Sequence, residues 1–152
     1  MNDRPRPEHP PLDEGPRREL IERFNQVNRD RFGGHLGYHL LDVRRGWARI
    51  EVDSTTRLMN PSGVMHGGAS FGLADSAVAA ALLTIYGPGN ALLTIEMQIN
   101  YLEPIVSGVV TAEASVLRSS RRSAYAEVDV WANGKLAARA STTYMIRPLT
   151  PA

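Results

Sequence analysis

The chain contains no cysteine among its 152 residues. This absence excludes disulfide bonds, a thiolate nucleophile and the sulfur ligands of a structural zinc site. It is also what a protein of a reducing compartment would show. Any nucleophile or base in this protein must therefore be a hydroxyl, a carboxylate or a histidine.

Long apolar runs and an excess of one charge are also missing. The longest apolar stretch, residues 77–83, is well short of the ~20 residues that cross a bilayer. The N-terminal segment carries charges where a secretory signal needs an apolar region. Seventeen basic against sixteen acidic residues give a formal charge of +1, which does not indicate bulk binding of nucleic acid. We expect a soluble, cytoplasmic protein that engages neither membranes nor nucleic acid.

The length suits one domain with a substantial core. Residues 1–15 contain four prolines and few apolar side chains, which predicts a flexible N-terminal arm before a domain at 16–148. Apolar residues at helical spacing predict a short amphipathic helix that begins at Pro16 and stops at Gly33 and Gly34. These apolar positions are Leu20, Ile21, Phe24 and Val27.

Residues 66–87 are rich in alanine and leucine and end at a glycine, which predicts one long helix that is apolar on nearly all faces. Strands are predicted at 36–44 and 47–53 before this helix. Alternating segments after it predict three or four more strands, and Asn133 with Gly134 favours a type I′ hairpin turn between the last two. In the first of these later strands, Ile95, Met97, Ile99 and Tyr101 are expected on one face, opposite Thr94, Glu96, Gln98 and Asn100.

A helix that is apolar on most faces needs a sheet curled around it. The predicted architecture is therefore an α+β hotdog fold. It has an antiparallel sheet wrapped around one long central helix, with a short N-terminal helix.

One carboxylate interrupts the apolar helix. Asp75 must find partners, reach water or change its pKa, which makes it a candidate general base or nucleophile. The alternative is that Asp75 and Ser76 lie on a narrow solvated stripe. Polar and glycine residues also converge just before the helix, namely Asn60, Gly63, His66, Gly67 and Gly68. Unpaired N–H groups at this position favour a developing negative charge, which makes it a candidate oxyanion site. The alternative is a glycine-rich entry loop in which His66 only caps the helix.

Residues 60–75 read NPSGVMHGGASFGLAD, and residues 99–104 read INYLEP. These motifs resemble the signature of the PaaI-type (phenylacetic acid degradation) hotdog acyl-CoA thioesterases, and the resemblance extends over about residues 20–147. It implies hydrolysis of an acyl-CoA thioester to the free acid and CoA. By motif position, Asp75 is the base or nucleophile, Gly67 donates its N–H to the thioester carbonyl, and Asn60 holds water or substrate. Thr94 supports the aspartate or its water.

A basic turn offers a second candidate site. Residues 118–123 place three guanidinium groups and several hydroxyls where two strands meet, a chemistry suited to phosphates. A solvated charge run on a hairpin is the alternative. In the resembling family this turn contacts coenzyme A, which predicts a CoA-binding set of Arg118, Ser119, Ser120, Arg121, Arg122 and Ser123. No histidine spacing is typical of a metal site, so neither a metal nor another cofactor is expected.

Helix geometry predicts a site shared between two chains. Nine residues separate His66 from Asp75, which places them about half a turn and ~13 Å apart on one helix. We therefore expect a two-fold dimer, alone or paired into a tetramer, in which the glycine end of one helix faces the aspartate of the other. Two alternatives remain open. One is a hotdog hydratase or dehydratase that uses His66 with Asp75, and the other is a non-catalytic acyl-CoA-binding regulatory module.

Overall fold

The computed structural model describes residues 7–149, in which a six-stranded antiparallel sheet curls around a long helix. The strand order is β1-β2-β4-β5-β6-β3, so β1 and β3 are the two edges. The elements are α1 (Glu14–Asn28), α2 (Phe32–Leu36), β1 (His39–Arg44), β2 (Trp47–Asp53), a 3-10 turn (Thr56–Leu58), α3 (Gly67–Tyr86), β3 (Asn90–Tyr101), β4 (Val109–Ser119), β5 (Ser123–Ala132) and β6 (Lys135–Pro148). This arrangement confirms the predicted hotdog fold.

The central helix α3 lies within one residue of its predicted bounds. His66 caps its N-terminus and Gly87 follows its last turn. Half of its buried residues are alanines, which let the sheet approach closely, while the fully buried Leu73 and Leu82 fill the space between them. Burying each leucine is worth about 1.5–3 kcal/mol. By length and composition α3 could also cross a membrane, but the sheet covers it as the core of this domain.

Two hairpin turns of the sheet use left-handed backbone. Asn133 has φ 50° and Gly134 has φ 73°, as the type I′ turn between β5 and β6 requires. Gly46 has φ 75° in the turn between β1 and β2. These turns fix the register of their strands.

The predicted stop of the N-terminal helix at Gly33 and Gly34 is wrong. Helix α1 already ends at Asn28, and both glycines lie inside the short α2. The reason is a close approach of backbones. A Cβ on Gly34 would lie 2.2 Å from the carbonyl oxygen of Arg29, so only glycine fits there.

The segment before α1 is partly described. Residues 1–6 of the predicted flexible arm lie outside the described range. Further along, the carbonyl of Pro10 accepts a hydrogen bond from the Arg45 N–H at 3.0 Å, and Leu12 packs against the core. Residues 7–13 therefore run along the β1–β2 turn into the first helix.

A β-bulge changes the faces of β3. Thr94 pairs with Tyr144 and Glu96 pairs with Thr143, so Ile95 is an extra residue. Directly paired residues share a face, which puts Thr94 on the inner face with Met97 and turns Ile95 outward, where it is 61% exposed. The expected alternation was wrong for Thr94 and Ile95, because a bulge resets the two-residue period.

Candidate active site

Asp75 lies half-buried on α3 and faces two hydroxyl groups. The Thr94 hydroxyl donates to Asp75 Oδ1 at 2.9 Å, and the Tyr144 hydroxyl lies 2.5 Å from the same oxygen. Tyr144 also lies 3.1 Å from the backbone carbonyl of Asp75. Asp75 Oδ2 receives no hydrogen bond from residues 7–149. One carboxylate oxygen is thus saturated, and the other is open to a reactant.

Tyr144 enters this cluster from the inner face of β6, where it is 2% exposed. Burial and the negative charge of Asp75 raise the pKa of Tyr144 above its ordinary value. The phenol therefore stays neutral and keeps its proton at physiological pH. A neutral donor stabilises the ionised form of the carboxylate that it contacts.

The N-terminus of α3 forms a second polar centre. His66 Nδ1 accepts from the Gly68 N–H at 2.9 Å, and the Tyr101 hydroxyl donates to the Gly67 carbonyl at 2.7 Å. Gly67 is the first residue of the helix, and its N–H has no partner among the described residues. A cleft of about 380 Å³ lies beside it, lined by residues that include Gly67, Ser70 and Tyr101. Gly67 therefore borders a cleft and carries an N–H that no residue of 7–149 occupies.

Asn60 organises the loop that leads to this helix. Its Oδ1 accepts from the N–H groups of Ser62 at 2.9 Å and Val64 at 3.2 Å, which identifies that atom as the oxygen. The Nδ2 group has no partner among residues 7–149. Asn60 therefore holds the loop with one side-chain atom and leaves a donor free with the other.

The two polar centres do not meet within one chain. Eight residues separate Gly67 from Asp75 along α3, which corresponds to about 12 Å of rise and ~80° of rotation. The fold therefore joins Asp75 with Thr94, while Gly67 and His66 lie at the N-terminus of the helix, after the loop that Asn60 holds.

The basic turn lies near the C-terminal end of α3. The Tyr86 hydroxyl donates to the Ser120 carbonyl at 2.6 Å, and the Ser120 and Ser123 hydroxyls lie 3.0 Å apart within the turn. The side chains of Arg118, Arg121 and Arg122 are exposed, and none of them pairs with a carboxylate in the described part of the chain. Three guanidinium groups without a carboxylate partner among the described residues thus lie on a turn whose backbone is held by hydrogen bonds.

Comparison with known proteins decides the family. Residues 62–138, half of the chain, match the thioesterase superfamily. The chain belongs to this superfamily. A thioesterase from Haemophilus influenzae has a crystal structure that superposes with a TM-score of 0.81 at 26% identity, covering 86% of this chain and 92% of that one.

Two further relatives narrow the assignment. A mutant of the phenylacetic acid degradation protein PaaI from Thermus thermophilus superposes with a TM-score of 0.70 at 30% identity, covering 75% of this chain and 96% of that one. A 1,4-dihydroxy-2-naphthoyl-CoA hydrolase from Listeria monocytogenes is 25% identical over 95 residues, which are 62% of this chain and 77% of that protein. The chain is a PaaI-type hotdog thioesterase, and its activity is hydrolysis of a thioester.

The sequence did not indicate two tyrosines of this thioesterase. Tyr144 touches the predicted base, and Tyr101 touches the predicted oxyanion donor. A signal for Tyr144 was present, because it alternates with Ala140 and Thr142 on an inward face, and a buried tyrosine hydroxyl needs a partner. Which partner it finds depends on the register of β6 against β3.

No group of three His, Cys, Asp or Glu side chains within residues 7–149 is placed to hold a metal ion. His9 lies near the β1–β2 turn, where its Nδ1 is 3.1 Å from the Arg45 carbonyl. The other named candidates, including His66 as a catalytic group and the six residues of the basic turn, remain predictions about function.

Proposed function

We propose that this thioesterase hydrolyses acyl-CoA at a site that two chains share. The observation that carries the proposal is that two polar groups suited to thioester hydrolysis lie at separate positions along α3. Asp75 presents one open carboxylate oxygen, and Gly67 presents an unpaired N–H at the other polar centre. Thioester hydrolysis needs both an activator of water and a donor for the carbonyl oxygen.

In the proposed reaction, the Gly67 N–H of one subunit binds the thioester carbonyl oxygen. Asp75 of the partner subunit either removes a proton from water or attacks the carbonyl carbon itself. The C–S bond then breaks, CoA leaves as the thiolate and takes up a proton, and the acid is released. In this proposal Thr94 orients Asp75, and the Nδ2 of Asn60 binds water or substrate. Both routes consume one water and give the same products.

The proposed dimer has an edge strand on which to form. Strand β3 has no partner on one side among residues 7–149, and it exposes Leu93 at 42% and Ile95 at 61%. An unpaired edge with apolar side chains is a ready surface for a second chain. Because β3 also carries Thr94, pairing at this edge brings a second subunit beside Asp75. The dimer alone and a dimer of dimers both fit this proposal.

The basic turn is the proposed site for the CoA phosphates. Across the sheet, Ser119 pairs with Ala124, Ala124 with Tyr144, and Tyr144 with Thr94. This row places the turn at the same end of the sheet as Asp75, about three strand spacings or ~14 Å from β3. Exposed guanidinium groups are suited to phosphate at this position.

An apolar cleft beside α3 suggests which acyl groups to try. The cleft measures about 410 Å³, lies between α1 and α3, and includes Leu20, Phe24 and Leu83 in its lining. Leu83 follows Asp75 by eight residues, which is about two turns along the same helix. We expect apolar acyl groups to be preferred over charged ones.

The test is release of thiol from phenylacetyl-CoA, benzoyl-CoA, hexanoyl-CoA and succinyl-CoA. Because the chain has no cysteine, a thiol reagent reports CoA without background from the protein. We expect turnover of at least one apolar ester. Asp75→Asn, which is nearly isosteric, should lower kcat by about 10² or more with an unchanged fold. Activity of Asp75→Asn within a few-fold of wild type would remove Asp75 from the mechanism.

A further inference from the structure

The inner face of β6 places a tyrosine against the proposed base. The Tyr144 hydroxyl lies 2.5 Å from Asp75 Oδ1 and 3.1 Å from the Asp75 backbone carbonyl. Its single proton goes to the nearer, charged acceptor. The tyrosine thus contacts both the side chain and the backbone of one residue.

Tyr144 is held more firmly than the other hydroxyl at this carboxylate. Thr94 lies on the exposed edge strand, next to the bulge at Ile95. Tyr144 lies one strand further in, paired with Thr94 on one side and with Ala124 on the other, and is 2% exposed. Close packing leaves its ring one position. The direction of its hydroxyl is therefore set by the sheet.

We propose that Tyr144 is a positioning residue for the reaction, which occupies Asp75 Oδ1 so that the ionised carboxylate turns Oδ2 toward the reactant. This inference rests on the proposed function of Asp75. A hydrogen bond to the charged form of a carboxylate favours that form over the protonated one. The ionised Asp75 is the form that can accept a proton from water or attack a carbonyl, and the Tyr144 hydroxyl holds it at Oδ1.

The test is Tyr144→Phe, which removes one oxygen and keeps the ring. With the best CoA ester of the panel, we expect kcat to fall about 10-fold to 100-fold while KM changes little. The acid limb of the kcat/KM profile should move toward higher pH, because the variant lacks a donor to the ionised carboxylate. An unchanged kcat and an unmoved acid limb would overturn the proposal, and so would a lower Tm with an unmoved limb, which is the result of a purely structural tyrosine.

Tyr38→Phe is the matched control. Tyr38 is also buried, and its hydroxyl also donates to α3, to the Ala69 carbonyl at 2.7 Å, but it does not touch Asp75. Both variants lose a buried tyrosine hydroxyl bonded to the same helix. Only Tyr144→Phe should move the acid limb, and a matching shift in Tyr38→Phe would overturn the specific role of Tyr144.

A double-mutant cycle separates this inference from the proposed function. In an Asp75→Asn background, Tyr144→Phe should lower the residual activity little further, because both changes remove the same unit. Full additivity of the two effects would overturn the coupling. If Asp75→Asn is inactive and Tyr144→Phe behaves as wild type, the positioning role alone fails. If Asp75→Asn is active, the proposed function fails first.

A second route applies if Tyr144→Phe does not fold. Biosynthetic replacement of tyrosine by 3-fluorotyrosine keeps the hydroxyl and nearly the same volume but makes the phenol a stronger donor. The acid limb should then move toward lower pH, opposite to its shift in Tyr144→Phe. An acid limb at the wild-type position would overturn the proposal.

Discussion

Gly67→Pro tests the proposed oxyanion donor with little change to the helix. Proline has no N–H, and the first helical position is where proline is best tolerated. Gly67 occupies that position in α3, and His66 before it has φ −60° and ψ 133°, which suits a residue that precedes proline. The substitution therefore deletes the donor and should leave the helix in place.

Gly67→Ala supplies the steric control. A Cβ at this position lies 2.9 Å from the Tyr101 hydroxyl oxygen, so both variants push the exposed end of that tyrosine aside, and only the proline variant loses the N–H. Loss of one oxyanion donor costs on the order of 10²–10³ in kcat. We expect that loss in Gly67→Pro and a much smaller one in Gly67→Ala, measured with the best CoA ester. Equal losses in the two variants would show that the Tyr101 displacement, not the donor, matters.

Mixing subunits then tests whether the site is shared. Gly67→Pro and Asp75→Asn chains, each nearly inactive alone, are mixed one to one under conditions that exchange subunits. Half of the dimers should be hybrids, in which one site collects both substitutions and the other collects neither. About a quarter of all sites become wild type, and activity should recover to roughly that level.

The mixing experiment has an internal control in Asp75 and Thr94, which touch each other in one chain. A mixture of Asp75→Asn with Thr94→Val regenerates no wild-type site and should show only the average of its parents. The shared site is refuted if Gly67→Pro and Asp75→Asn restore nothing after subunit exchange has been confirmed by mass spectrometry of tagged chains.

Two further predictions concern the basic turn and the buried Tyr38. Replacing both Arg121 and Arg122 by alanine should raise KM for CoA esters, make KM less dependent on salt, and affect kcat much less. An unchanged KM at low ionic strength would mean that the turn is only solvated surface. Burial raises the pKa of Tyr38, so its contribution to stability is complete below pH ~10 and is lost above it as the unfolded chain ionises. Above pH 10, urea unfolding of Tyr38→Phe should therefore show a slope of stability against pH that is shallower than wild type by up to about 1.4 kcal/mol per unit, and equal slopes would contradict the raised pKa.

The elements that the sequence predicted well are those with strong local causes. The long helix is marked by its alanines and by Gly87, and the last hairpin by Asn133 and Gly134, whose backbone angles match the expected turn. The face on which a side chain lies after a β-bulge has no such local cause. Nothing local to Ile95 shows that it is an extra residue, because the bulge arises from pairing with β6, some fifty residues away in the sequence.

The same limit applies to the candidate site. Asp75 was predicted because a carboxylate inside an apolar helix is conspicuous by itself. Tyr144 was not, because its significance comes from the register that places it opposite Thr94. Gly34 illustrates the reverse error, since a glycine that is needed for close packing of backbones was taken as a helix stop. Pairing between distant strands accounts for Ile95 and Tyr144, whereas Gly34 meets the backbone of Arg29 only five residues away.

The two polar atoms of the Asn60 side chain have different surroundings in the loop before α3. Its Oδ1 binds two backbone N–H groups and fixes the turn at residues 60–64, while its Nδ2 is free to meet water or substrate. Asn60→Ala removes both atoms, so its loss of activity would combine a disordered loop with a missing donor. Asn60→Asp keeps an acceptor for Ser62 and Val64, removes the donor and adds a negative charge. The catalytic role that the resemblance predicts for Asn60 is therefore compatible with its observed hydrogen bonds to the loop, because each involves a different atom of one amide.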